Sequence, residues 1–98
     1  MKKLDSKIIL EKIKSEKKKL KSKGVKKLGL FGSYAKGEQK QKSDVDFLIE
    51  FNKVDFEKYI FVLNLLEKMF NRKVDLVIEK DLKPELKYVM KEAKYVRI

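Results

Sequence analysis

The run Asp44-Val45-Asp46-Phe47-Leu48-Ile49-Glu50-Phe51 leaves few folds open to this chain. It begins with alternating acids and closes on nearly continuous apolar residues, as a central strand covered on both faces does. Val25-Lys26-Lys27-Leu28-Gly29-Leu30-Phe31 and Lys73-Val74-Asp75-Leu76-Val77-Ile78 read as two further strands. Helical patterns separate them. Asp5 reads as an N-cap with Leu4 stapled onto Ile9, and Ile9, Ile13 and Leu20 form one stripe until Gly24 stops the helix. Gly32-Ser33-Tyr34-Ala35-Lys36-Gly37 is a turn opening a short helix. Asp55 caps a helix over residues 56–70, with Phe56, Tyr59, Ile60, Leu63, Leu66 and Phe70 as its principal apolar stripe. Pro84 stands in the first turn of a last helix that runs to about residue 93. The expected architecture is a small α/β fold, a three-stranded sheet flanked by helices, in a single domain over residues 1–98.

Composition narrows the chemistry. With 43% apolar residues the chain can bury a core even though 42% of it is charged. It has no cysteine and no histidine. Thiol nucleophiles, thiolate metal sites and imidazole bases are therefore excluded, which leaves carboxylates, hydroxyls, lysines and hard cations. The longest apolar runs fall far short of the roughly 20 residues of a spanning helix. No apolar stretch follows the basic start in the manner of a secretory leader. A soluble cytoplasmic protein with no membrane partner is expected. The formal charge of +11 is uneven: residues 1–27 hold 12 lysines against three acids, whereas residues 28–98 hold 14 basic against 12 acidic side chains. Such a segment fits either a polyanionic partner or a solvated helix face.

The chemistry-bearing residues are Gly32-Ser33, then, after ten residues, Asp44-Val45-Asp46, then Asp75. In a strand, Asp44 and Asp46 share a face, about 6.6 Å apart along the backbone. Asp75 interrupts an otherwise apolar strand, where a buried carboxylate needs a cationic partner or a metal. If these strands are neighbours the three acids form one cluster, and oxygen-only ligands suit Mg²⁺ or Mn²⁺. Two such ions, about 3.5–4 Å apart, would serve an in-line phosphoryl displacement. Lys36 or Lys80 offers the alternative of neutralising an acid without metal. Gly32 lets the backbone approach a phosphate, and Ser33 adds a hydroxyl donor.

Gly32-Ser33-Tyr34-Ala35-Lys36-Gly37, Ser43-Asp44-Val45-Asp46-Phe47-Leu48 and Val74-Asp75-Leu76-Val77 resemble the minimal nucleotidyltransferases of the DNA polymerase beta-like superfamily. The similarity extends to the small antitoxin branch that partners HEPN-type toxins. The resemblance implies the polymerase beta-like nucleotidyltransferase fold and transfer of AMP from ATP to a tyrosine hydroxyl of a HEPN-type toxin ribonuclease, with release of pyrophosphate. It implies two Mg²⁺ ions (or Mn²⁺) held by Asp44 and Asp46, with Asp75 on the ion nearer the attacking hydroxyl. Gly32 and Ser33 would hold the triphosphate. Lys36 stands where the family also uses arginine, which leaves its phosphate contact open. Two alternatives are a non-enzymatic antitoxin that acts by binding alone and an enzyme adding nucleotides to an RNA 3′-end. On the helix over 56–70, Phe61, Val62, Leu65 and Met69 form a second apolar stripe. Either the first or last helix covers it, or it docks the toxin or a second copy of this chain.

Overall fold

A computed structural model describes residues 3–98. Met1 and Lys2, which the sequence assigns to the single domain and to the basic N-terminal segment, lie outside the described residues. The first helical stretch is two helices, α1 (Ser6–Ser15) and α2 (Lys17–Ser22). Asp5 caps α1 as expected, its Oδ1 accepting from the Ile8 amide at 2.9 Å. The single helix expected up to Gly24 breaks at Glu16, next to Ser15, whose hydroxyl donates to the Lys12 carbonyl at 2.6 Å. A serine that bonds back to the preceding turn competes with helix propagation. The break does not disturb the stripe: Ile9, Ile13 and Leu20 are all fully buried.

Strand β1 (Val25–Phe31) leads into the short helix α3 (Gly32–Lys36), and β2 (Val45–Phe51) follows after a loop. Helix α4 (Phe56–Phe70) is capped by Asp55, whose carboxylate accepts from the Lys58 amide at 3.2 Å. Strand β3 (Val74–Ile78) comes next. A 3₁₀ turn, Glu79–Asp81, follows, and the expected last helix is instead a second 3₁₀ turn, Pro84–Leu86, and a single turn of helix α5 (Val89–Glu92). A fourth strand, β4 (Lys94–Arg97), then pairs antiparallel with β1. The sheet is therefore four-stranded, in the order β3-β2-β1-β4, not three-stranded. β4 is only four residues long, too short for alternation to stand out, and its edge pairing is a long-range contact. No helix among the described residues is long and apolar enough to cross a membrane.

Register divides the sheet into two faces. Leu28, Leu30, Val45, Phe47, Ile49, Val74, Leu76 and Val96 pack with Ile9, Ile13, Leu20, Val62, Leu66 and Phe70 in one core beneath α1, α2 and α4. The other face carries Phe31 and Gly29 of β1, Asp46 and Leu48 of β2, Asp75 and Val77 of β3, and Tyr95 of β4. α5 and the first 3₁₀ turn lie against β1 and β2. Leu48 is fully buried, so β2 is the doubly covered central strand that its sequence promised. On α4 the buried face is centred on Val62, Leu66 and Phe70, with Tyr59, Leu63, Leu65 and Met69 packed against it. The second stripe thus contributes to the core, whereas Phe56, expected in the principal stripe, is 77% exposed. Phe61 is partly covered by the Lys23 ammonium, 4.2 Å from its ring centre at the end of α2.

Candidate active site

β1 ends at Phe31, and Gly32 turns the chain into α3 with φ +74°, a region that favours glycine. A Cβ at Gly32 would overlap Oδ2 of Asp46. Backbone conformation and the close approach of an acid therefore both demand glycine at this position. No side chain caps α3, so the Ser33 hydroxyl is not spent on capping.

Asp46 pairs with Phe31 across β1 and β2 and with Asp75 across β2 and β3. Residues paired in register project to the same side of a sheet, so the two carboxylates stand side by side. Asp44 is exposed and lies just ahead of β2, two residues before Asp46. The carboxyl of Asp46 is pushed up from 3.8 to about 6, by burial first, then by the charge of Asp75 and then by that of Asp44. Burial and like charges both penalise the ionised form. Asp75 itself is exposed, although its apolar neighbours suggested burial. β3 is an edge strand, and its Asp75 face points away from the helices, so this acid keeps its access to water.

Neither lysine considered as a counter-ion neutralises these acids. Lys36 Nζ lies 3.7 Å from Glu92 Oε2, and among the described residues Lys80 makes no ion pair. Nor are any three ligating side chains, among the described residues, gathered closely enough to hold a metal ion as they stand. The donor set fits a hard divalent cation all the same. It consists of carboxylate oxygens alone, and burial, then the charges of Asp75 and Asp44, hold Asp46 towards its protonated form, which a nearby cation would oppose.

The same face carries a polar group to which the sequence reading assigned no role. The Tyr95 hydroxyl donates to Glu79 Oε2 at 2.9 Å, and Glu79 Oε1 lies 3.4 Å from Lys27 Nζ. That ammonium sits 4.6 Å from the Tyr95 ring centre. Burial, and then the bond to Glu79, push the tyrosine pKa up, so Tyr95 stays a neutral donor. The signal for this contact was Gly29. A glycine inside a strand marks close approach, and a Cβ there would meet the Tyr95 ring at 2.6 Å.

Comparison with known proteins agrees with this arrangement. The nucleotidyltransferase domain family matches residues 9–96. The protein adenylyltransferase MntA of Thermococcus cleftensis is 41% identical over 75 residues, which cover 74% of this chain and 76% of that protein. A solved structure provisionally described as a minimal nucleotidyltransferase superposes with a TM-score of 0.79 at 27% identity, covering 93% of this chain and 95% of the other. The same fold, at 20% identity and a TM-score of 0.60, occurs in the complex of a tri-AMPylated Shewanella oneidensis HEPN toxin with an MNT antitoxin. That match covers 87% of this chain and 69% of the other.

Proposed function

Since this chain belongs to the nucleotidyltransferase domain family, we propose that it transfers AMP from ATP to a tyrosine hydroxyl of a HEPN-type toxin and so acts as its antitoxin. The hydroxyl oxygen attacks the α-phosphorus, the bond to the pyrophosphate oxygen breaks, and the hydroxyl proton leaves to a carboxylate. The observation that carries this reading is the packing of the Gly32 turn on the Asp46 carboxylate, beside Asp75 in register. It brings a glycine-serine turn and two acids to one spot on the sheet face away from the helices.

Each residue then has a task. Gly32, lacking a side chain, lets a triphosphate approach the backbone at the turn, and Ser33 donates its hydroxyl to a phosphate oxygen. Asp44, Asp46 and Asp75 would hold divalent cations, Mg²⁺ or Mn²⁺ and two in number, which when bound offset the charge that develops on the phosphoryl and leaving oxygens. Asp75 takes the acceptor proton in this reading, which its exposure to water supports.

The test is incorporation of labelled AMP from ATP into a purified HEPN-type toxin, with thermal melting recorded alongside. Asp44→Asn combined with Asp46→Asn is expected to abolish transfer while the protein stays folded. Full activity in that double variant, or in excess chelator, would refute the mechanism. Toxin neutralisation that survives the double substitution would favour an antitoxin acting by binding alone.

A further inference from the structure

A cavity of about 460 Å³ is lined by Lys3, Lys40 and Arg72 together with Gln39, Leu4 and Tyr34. Tyr34 is 2% exposed and, like Leu4, belongs to the helix-side core. The cavity therefore touches the helix-side core, which lies across the sheet from Asp46 and Asp75.

Its polarity is one-sided. Three cationic residues line it and, among the described residues, no acidic one does. Among the described residues none of the three makes an ion pair. Arg72 spends one donor, Nη1, on the neighbouring Asn71 carbonyl at 3.0 Å. Its Nε is buried without a partner, and so is Oε1 of Gln39, whose amide nitrogen reaches the Leu4 carbonyl at 3.4 Å. Like charges around one void raise one another's free energy, and an anion relieves this. A guanidinium fork with two ammonium groups is the set that proteins use for phosphate. The orphaned Gln39 oxygen is an acceptor, which a ligand donor such as a hydroxyl or amino group of a nucleoside would satisfy. A volume of this size is in the range of small-molecule sites.

The cavity is also tied to the acids through the backbone. The Lys40 amide donates to Ser43 Oγ at 2.8 Å and the Ser43 amide to the Lys40 carbonyl at 3.1 Å, closing a turn that ends just before Asp44. Lys73, which follows Arg72, accepts from the Val45 amide at 2.9 Å. Lys40 and Arg72 thus sit on the two segments that flank Asp44.

We infer that this cavity binds a mononucleotide. Its phosphate rests on Arg72, Lys40 and Lys3, a sugar or base donor meets Gln39 Oε1, and the site is separate from the candidate catalytic one. The reading does not depend on the proposed transfer reaction.

Calorimetric titration with AMP in chelator, which disables any metal-dependent site, tests it. Wild-type protein and Ser33→Ala are expected to bind AMP equally. Arg72→Gln and the exposed-site variant Lys40→Gln should each weaken binding by about tenfold. Gln39→Leu should weaken AMP but leave pyrophosphate, which lacks the donor, unchanged. The inference is overturned if AMP does not bind in chelator, or if Ser33→Ala abolishes binding while folded Arg72→Gln and Lys40→Gln retain it. Equal loss of AMP and pyrophosphate in Gln39→Leu would overturn the nucleoside part and leave a plain phosphate site.

Discussion

Asp46 is held by a backbone turn on one side and an acid on the other, and its titration should report both. Its carboxyl is raised to about 6 in the fold, against 3.8 for the free group, by burial, then Asp75, then Asp44. The folded state therefore binds this proton more tightly than the unfolded chain does. The sign follows from that difference: the group favours the fold below about pH 4, and this contribution is lost as pH rises through about 6. Asp46→Asn removes the loss. In metal-free buffer the variant should be more stable than the parent at pH 7, by on the order of 1 kcal/mol after discounting for solvent screening, and no more stable at pH 4. Urea unfolding at the two pH values measures this. A variant that is less stable at pH 7 would mean that the carboxylate has a favourable partner. Gly32 belongs to the same scale. The sequence marked it as a phosphate-approach position, but its steric partner, the Asp46 side chain, appears only once β1 and β2 are paired.

At the level of elements, the capped helices and the three longer strands were legible because their signals are local. Asp5 and Asp55 cap helices as their positions suggest. β4 was not legible, because residues 94–97 follow Lys91, Glu92 and Ala93, which prefer helix, and only pairing to β1 overrides that preference. The contact that accompanies this pairing is Tyr95 on Gly29. Gly29→Ala should push the ring off Glu79 and loosen β4, costing about 1–3 kcal/mol of stability. In the double variant Gly29→Ala with Tyr95→Ala, the overlap no longer exists, so the combined cost should fall below the sum of the single costs. Strictly additive costs in chemical denaturation would show that ring and strand do not press on each other. The face of α4 was misjudged for a related reason. Its sequence is apolar nearly all round, so periodicity left two stripes, and packing on the sheet selected the direction of Val62, Leu66 and Phe70.

Over the whole molecule, a formal charge of +11 is accompanied among the described residues by two ion pairs, Lys27–Glu79 and Lys36–Glu92. Most lysines are thus solvated and repel one another over the surface, most densely along α1 and α2. Self-repulsion of this kind destabilises the compact state and is screened by salt, with a Debye length of about 10 Å at 0.1 M and 3 Å at 1 M. The melting temperature should accordingly rise by several degrees between about 0.02 and 0.3 M potassium chloride. A flat or falling profile would mean that attractive pairs balance the excess charge.

The sequence by itself determined which side chains are at hand: carboxylates and hydroxyls with no thiol or imidazole, a glycine-serine turn, and three acids, two of them on strands. Those are properties of residue type and of local periodicity, which a linear chain carries without folding. Only the tertiary structure decided that Asp46 and Asp75 are register partners, that Asp75 keeps access to water, that a fourth strand closes the sheet, and that cations from residues 3, 40 and 72 meet in one cavity. Each of these depends on which strands lie side by side and which face the helices cover. That choice is made by burying the largest apolar area at once, and no short window of sequence contains it.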